Sequence, residues 1–364
     1  MPIDYAVKVG TSPSPFGGAL ADVQQINVII GRQRTLDIYS ASRATITLRY
    51  PTGYASPNAL IKSGNFVKID GYNRVIFEGK IDNVDVQYGI PFVSNVGNAD
   101  FLTFTAEGSF AVFGRAQGED YAMSAGTLAD QLTECANETN EIVVLDSAVG
   151  NGPQMAATTI SGTWGEWLNK VLITINGRMQ DTVVLEHTNL LLYSTIEQQT
   201  VNFSDTTNNA TNQVYDVINF GSYADNYYTQ VTVTPESFAA QTVESGSAPF
   251  RTLQTNTLNA STGQASDFAN YLLGAYDTQS FALLSISALA EAQNSFQLDE
   301  FRVADAVKVT FRGTTFDCVI EGIDFTADPV SSRYTFHLSG ADLNRYFILN
   351  STTFGILNTN QLGY

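Results

Sequence analysis

The feature that most constrains the fold is a repeat: two segments about 240 residues apart share one pattern of apolar and polar residues. Residues 66–84 read FVKIDGYNRVIFEGKIDNV, and residues 306–323 read AVKVTFRGTTFDCVIEGI. After a one-residue slip in the turn, the matching positions are Val67-Lys68 with Val307-Lys308, Phe77 with Phe316, Ile81 with Ile320, and Val84 with Ile323. Each copy has a strand, a glycine-containing turn and a second strand, which predicts a β-hairpin. Because short hairpins share this pattern, chance similarity is the alternative.

The spacing of the two copies indicates a duplicated domain. Solenoid repeats have periods of about 20–50 residues, far shorter than this separation. Each hairpin is also followed by a further alternating segment, at residues 102–106 and 334–338. These features favour one β domain used twice.

The length of 364 residues predicts two or three domains. Residues 1–118 are predicted to form the first β domain, in which residues 44–50 alternate as a half-buried antiparallel strand. We expect an α+β insert at 119–207 and the second β domain at 208–345. Residues 346–364 are too short to fold alone, so we expect them to dock on their own domain or on a neighbour.

The insert carries two helix start signals. Thr127 and Thr163 each precede an acidic residue by three positions, which is the spacing of a capping box. Trp164 and Trp167 fall on one face of the second helix, and we expect them to be core residues rather than a ligand platform. Residues 181–203 return to strands, with a hairpin turn predicted around Thr188-Asn189.

The second β domain contains one segment of weak pattern. Residues 236–262 are rich in Ser, Thr, Gln and Asn, and they predict a long loop with a short strand. A short helix is predicted from Ser266 to Leu273, followed by a strand over residues 281–288.

Composition excludes several classes of function. With 44% hydrophobic residues the chain has ample material for packed cores. The net charge of −18 gives no basic footprint for nucleic acid, although an acidic wall suits a passage that must not retain DNA. The two cysteines, Cys135 and Cys318, are expected to be buried free thiols.

No targeting or membrane segment is visible. The N-terminus has neither a basic region nor an apolar run, and no run approaches about 18 apolar residues. We therefore expect a protein made in a cytoplasm that stays there or leaves inside an assembly, with no membrane segment.

The sequence predicts no catalytic residue, cofactor site or metal site. Nucleophile-elbow, P-loop and H-E-x-x-H motifs do not occur. His187 and His337 lie in unrelated regions, and neither has a Cys, Asp or Glu at ligand spacing. His337 is expected to be exposed, because it lies on the strand face opposite Tyr334, Phe336 and Leu338.

Two carboxylate pairs, Asp82/Asp85 and Glu321/Asp324, flank equivalent strands of the two copies. Paired carboxylates could act as the acid and base of a glycosidase, or could bind Ca²⁺. Residues at i and i+3 on a strand point to opposite faces, so exposed carboxylates beside a turn are the simpler interpretation.

The succession of segments resembles the tail hub, or minor tail, proteins of tailed bacteriophages. The resemblance rests on residues 26–53 (INVIIGRQRTLDIYSASRATITLRYPTG), on the helical segments ALADQLTECANE and TWGEWLNKVLITINGRMQ, and on the C-terminal stretch from FRVADAVKVTF onward. The chain closes with L-N-S-x-x-x-G-x-L-N-x-N-x-L-G, a form similar to the C-termini of many minor tail proteins. Each motif is weak alone, and their order is the specific part.

The resemblance implies a mainly β fold: two pseudo-equivalent antiparallel β-barrel domains with a small α+β domain between them. It also implies a homotrimer whose six barrels match the sixfold tail tube, with DNA present only in passage. The implied partners are other tail proteins: the distal tail ring, the tube, the tape measure, and a fibre or spike. No catalytic residue carries over. Alternatives are a sixfold distal tail or fibre-attachment protein, and a glycan-binding adhesin using the tyrosines of residues 223–228.

Overall fold

The structure is a computed structural model. The structure describes residues 5–50, 59–71, 74–88, 100–145, 151–184, 187–193, 197–198, 202–206, 209, 211–221, 227–277, 282–290 and 298–340. Strands dominate the described residues, which confirms the mainly β class. The predicted docking segment at 346–364 lies outside the described residues.

The first β unit is a six-stranded antiparallel sheet in the order β1-β4-β5-β6-β3-β2. Its core face is set by strict alternation: Ala44, Ile46 and Leu48 on β3 are buried, while Thr45 and Thr47 between them are partly exposed. The strand predicted at residues 44–50 is confirmed. The strands are β1 Ala6–Gly10, β2 Val23–Gly31, β3 Arg43–Tyr50, β4 Phe66–Asp70, β5 Val75–Gln87 and β6 Asp100–Glu107.

The next elements form the small α+β unit, with a core of its own. Its elements are α1 Phe110–Arg115, β7 Tyr121–Met123, β8 Gly126–Thr127, α2 Leu128–Thr139, β9 Val143–Leu145, β10 Gln154–Met155, β11 Thr158–Ile160, α3 Trp164–Thr174, β12 Arg178–Val184 and β13 His187–Tyr193. The hairpin prediction is wrong in position. Val184 pairs with His187, so the chain turns before Thr188-Asn189.

Both predicted capping boxes are confirmed. The Thr127 side chain accepts a hydrogen bond from the Asp130 amide, and the Thr163 side chain accepts one from the Glu166 amide. Such caps satisfy amides at the helix start that have no partner within the helix. Trp164 and Trp167 are buried with ring centroids 5.8 Å apart, as expected of core residues.

The second β unit follows and contains one inserted module. Its elements are β14 Glu197–Gln198, β15 Asn202–Ser204, β16 Asn212–Val214, β17 Val217–Gly221, β18 Gln230–Pro235, β19 Gln241–Glu244, β20 Thr252–Thr257, α4 Thr262–Tyr276, β21 Ala282–Leu289, β22 Asp305–Phe311, β23 Thr314–Ala327 and β24 Ser332–Gly340. The module is the sheet β19-β18-β20 packed on α4. The prediction of a long loop with one short strand at 236–262 is wrong in part, because this segment holds two strands, β19 and β20, in which exposed residues alternate with partly buried ones.

The two β units have the same topology. In the first unit, strands β2 to β6 lie in the spatial order β4-β5-β6-β3-β2. In the second unit, the five strands β17, β21, β22, β23 and β24 lie in the corresponding order β22-β23-β24-β21-β17. The registers also agree, because Ile69 pairs with Phe77 as Val309 pairs with Phe316. Equivalent long strands carry an equivalent β-bulge, after Ile81 in β5 and after Ile320 in β23. The sequence repeat is thus a structural repeat.

The two units are joined into one sheet through β2 and β23. Val28 pairs with Phe325 and Ile30 pairs with Ile323 across this seam, and all four side chains are buried in a core shared by both units. Full burial of such a side chain stabilises the fold by about 1.5–3 kcal/mol. The seam therefore fixes the two copies side by side.

Candidate functional site: a buried ion-pair cluster at the junction of the two copies

The seam brings two backbones unusually close beside the bulge of β23. Gly31 has φ +78°, and a Cβ there would lie 2.5 Å from the Glu321 carbonyl oxygen. A Cβ on Gly322 would clash with the Arg32 carbonyl oxygen. Glycine is required at these positions by the close approach and, at Gly31, by the left-handed backbone. The bulge adds one residue to β23, and that residue is Glu321.

The Glu321 carboxylate is fully buried and bound on both oxygens. Arg32 donates from Nε to Oε2 at 2.9 Å, and Arg178 donates from Nε to Oε1 at 3.1 Å. The hydroxyls of Ser339 and Thr35 donate to Oε1 at 2.6 and 3.4 Å. A buried charge is tolerated when it is paired and hydrogen-bonded in this way.

The charge of the cluster follows from these contacts. Burial raises the pKa of Glu321, but the positive charges of Arg178 and Arg32 outweigh burial and lower its pKa to about 2. Glu321 is therefore ionised across the physiological pH range. The cluster consists of one carboxylate between two guanidinium groups, which makes it an electrostatic link between parts of the chain.

Strand β12 of the α+β unit connects both copies. Arg178 at its start reaches Glu321 of the second copy, and Gln180 accepts a hydrogen bond from the Val303 amide of the same copy at 3.1 Å. On the other side, Asp181 accepts from the amides of Ser42 at 3.1 Å and Phe110 at 2.9 Å. We call Arg178, Gln180 and Asp181 the β12 clamp.

The carboxylate pairs behave differently in the two copies. Asp82 is exposed and pairs with Arg115 at 3.3 Å, and exposed Asp85 accepts a hydrogen bond from Asn83 at 3.1 Å. The expectation of exposed carboxylates is right for this pair and wrong for Glu321. The reason is that Arg178 and Arg32 come from distant parts of the chain to cover the second bulge.

The expected exposure of His337 is also wrong. Its side chain is mostly covered, and Nε2 lies 2.8 Å from Oδ2 of Asp324. These two residues lie on neighbouring strands of the polar sheet face, because Asp324 pairs with Thr335, two residues before His337. The side chain of His187 lies outside the described residues.

The predictions for the cysteines and tyrosines have different outcomes. Cys135 and Cys318 are buried free thiols, as expected, and burial raises the pKa of each to about 12. The tyrosine-rich stretch lies largely outside the described residues. Within it Tyr228 is partly buried and packs edge-on against Tyr276 at 6.3 Å, which is a core contact.

An open cavity of about 510 Å³ lies beside the buried cluster. Its polar lining includes Thr35, Asn219, Ser285 and His337. Thr35 is already bonded to Glu321, Asn219 donates to Ser285 at 3.0 Å, and His337 is engaged with Asp324. Across the described part of the chain, no three His, Cys, Asp or Glu side chains group as metal ligands. No helix in that part is long and apolar enough to cross a membrane.

Sequence reasoning missed the arginine partners of Glu321 and the whole β12 clamp. One signal was present. Arg178 and Gln180 occupy alternate positions of a strand, so they share one face, and both are buried. Polar residues at the buried positions of a strand indicate a specific partner across an interface.

The architecture is therefore a duplicated β unit with an α+β insert, held together by a buried ion-pair cluster. No protein-family model and no curated protein matches this sequence. Solved structures match its fold. The 43 kDa tail protein of prophage MuSo2 from Shewanella oneidensis matches with a TM-score of 0.67 at 12% identity, over 93% of this chain and 99% of that one.

Two further solved structures have the same fold. A tail protein from Neisseria meningitidis MC58 matches with a TM-score of 0.66 at 12% identity, over 94% of this chain and 98% of that one. An E. coli component of the type VI secretion system, described as similar to the T4 tail proteins gp27 and gp5, matches with a TM-score of 0.52 at 10% identity, over 92% and 76%. The resemblance to bacteriophage tail proteins is thus confirmed at the level of the fold.

Proposed function

We propose that this protein is a structural hub at the tail tip of a bacteriophage virion. In this role three copies join a sixfold tail tube or distal tail ring to a threefold tip. The observation that carries the proposal is the repeat: both units have the same strand order, the same register and the same bulge. The fold shared with tail proteins from Shewanella and Neisseria supports the same biology.

The repeat supports this role through symmetry. A sixfold ring offers six equivalent edges, and a trimer can meet all of them only if each subunit carries two similar units. The seam between β2 and β23 holds the two units side by side, as such an adaptor needs. We propose residues 1–118 and 208–345 as the main parts of the two hub domains, 119–207 as the insert and 346–364 as a segment that docks on a neighbour. At the edges of these bounds, α1 packs in the core of the insert and β15 pairs with β22 of the second unit.

The face of the sheet away from the core is suited to a channel wall. It carries Asn27, Thr45, Thr47, Thr103, Thr105, Thr326 and Thr335, all partly or fully exposed. These short neutral side chains alternate with Arg43, Arg49 and Arg333, of which Arg43 lies opposite Glu107 and Arg333 forms an ion pair with Asp216 at 2.7 Å. The net charge of −18 disfavours retention of DNA. We propose that this face lines the passage for DNA, and that the protein is not an enzyme and needs no cofactor.

The native mass and symmetry of the particle test the proposal. Light scattering on the purified chain, alone and with the cognate tail proteins, should give three copies, and negative-stain images should show a ring with pseudo-sixfold features. Six copies would instead support a distal tail or fibre-attachment protein. A stable monomer in all conditions, with no ring beside the tail partners, would overturn the hub proposal.

A further inference from the structure

Among the described residues, two strand edges have no partner strand, although the equivalent edges of the repeat, on β2 and β23, pair with each other. The last strand in the spatial order of the first unit, β2, pairs with the long strand β23 of the second unit. The counterpart of β2 is β17, and the counterpart of β23 is β5. Among the described residues, β17 pairs with β21 alone, and residues 82–87 of β5 pair with β6 alone. The seam is therefore formed once within the chain where the repeat would allow it twice.

We propose that the second seam forms between subunits: β17 of one copy pairs antiparallel with β5 of the next. This inference deepens the proposed function and rests on it. Each chain contributes eight consecutively paired strands, from β5 through β6, β3, β2, β23, β24 and β21 to β17. Three copies joined edge to edge in this way close these eight strands of each chain into a continuous ring.

The burial of equivalent side chains supports this pairing. At the internal seam, Ile26 of β2 and Ala327 of β23 are both buried. Their counterparts are Ile218, which is partly exposed, and Tyr88, which is 59% exposed. A large aromatic side chain exposed at an unpaired strand edge is what an absent partner strand would cover.

The internal seam also fixes the register of the proposed one. Within the chain Asn27 pairs with Thr326, and Ile26 pairs with Ala327. Asn219 takes the place of Asn27, because Asn27 lies opposite Thr45 of β3 as Asn219 lies opposite Ser285 of β21. Gln87 takes the place of Thr326, because it lies opposite Phe101 as Thr326 lies opposite Arg333. Asn219 is thus expected opposite Gln87 of the neighbour.

Disulfide trapping on the full chain tests this register. The double variant Asn219→Cys/Gln87→Cys, oxidised under mild conditions, should run as a covalent trimer on a non-reducing gel, because directly opposite residues meet the Cα distance that a disulfide needs. Asn27→Cys/Thr326→Cys is the matched control: its residues pair within one chain, so it should form a disulfide without any increase in mass. Each single cysteine variant should give no covalent trimer.

A second pair separates register from proximity. Asn219→Cys/Asp85→Cys keeps both cysteines on the same sheet face but moves one of them two residues along β5, so it should crosslink at least tenfold less. One result would overturn the proposed seam and leave the hub role standing. In that result the chain forms a trimer by light scattering and the internal control forms its disulfide, but the Gln87 pair crosslinks no better than the Asp85 pair. A chain that never forms trimers would overturn both.

Discussion

The Arg178 guanidinium donates to Oε1 of Glu321 from 3.1 Å, although the two residues are 143 positions apart in the chain. Arg178 belongs to the α+β unit and Glu321 to the second β unit, while Arg32 of the first β unit binds the other carboxylate oxygen. One buried carboxylate thus links all three units.

Removing one arginine from this cluster should destabilise the protein strongly. Arg178→Met leaves the Glu321 charge buried and under-compensated, which costs about 3–5 kcal/mol in comparable buried pairs. The free energy of unfolding from urea titration measures the loss. Arg115→Met is the control, because Arg115 pairs with Asp82 at the equivalent bulge but is 64% exposed, and should cost about 0–1 kcal/mol. Equal effects would contradict this account.

Acid should weaken the cluster in a defined window. The folded-state pKa of Glu321 is about 2, below its ordinary value of 4.5, so its contribution to stability is complete above pH 4.5 and is lost as the pH falls toward 2. The difference in melting temperature between the wild type and Glu321→Gln should therefore shrink over this range. A difference that stays constant from pH 6 to pH 2 would show that Glu321 is not ionised in the folded protein.

The β12 clamp should protect two specific amides. Asp181→Ala removes the acceptor of the Ser42 and Phe110 amides, leaving buried donors unsatisfied at a cost of about 1–3 kcal/mol. Hydrogen exchange should become faster in peptides that contain these residues. The control is Asp328→Ala, which also removes the acceptor of two amides, but in an exposed turn where water replaces it. Unchanged exchange at Ser42 and Phe110 would contradict the clamp.

The glycines of the seam should tolerate alanine poorly. Gly31→Ala adds strain at positive φ and places a Cβ against the Glu321 carbonyl, whereas Gly313→Ala, at φ +79°, meets no atom within 4 Å. Strain alone costs about 1–2 kcal/mol, so the Gly31 variant should lose clearly more stability in chemical denaturation. Equal losses would mean that the seam relaxes to accept the methyl group.

Assembly should depend on the exposed edge of β5. Tyr88→Asp places a charge where the inter-subunit seam would bury an aromatic ring. The protein concentration below which the trimer dissociates should therefore rise at least tenfold, while the fold of the monomer stays unchanged. Ile38→Asp is the control, because Ile38 is more exposed than Tyr88 but lies outside the sheet edges. Sedimentation equilibrium measures both. Equal dissociation of the two variants would argue against the seam.

Much of the local structure was predictable from sequence. The alignment of Ile81 with Ile320 and of Val84 with Ile323 matches the observed register, because a period-two pattern with one buried face permits few registers. The capping boxes and the buried tryptophans were predictable for a similar reason: their partners lie within a few residues or on one helix face. Only one short strand was predicted at 236–262, where the structure has two, because the polar composition of residues 241–244 and 252–257 hides their alternation of exposed and partly buried positions.

The sequence by itself determined the repeated hairpins, their register and the helix starts, since hydrogen bonds between neighbours and alternation along a strand decide them. Tertiary structure alone decided that Glu321 is buried while its counterpart Asp82 is exposed. Both residues occupy the bulge of equivalent strands, so the local sequence predicts the same exposure for both. The two residues differ because Arg32 and Arg178, which lie 289 and 143 positions from Glu321 in the chain, bind its carboxylate. Their positive charges offset the cost of burying Glu321, but not the cost of burying Asp82.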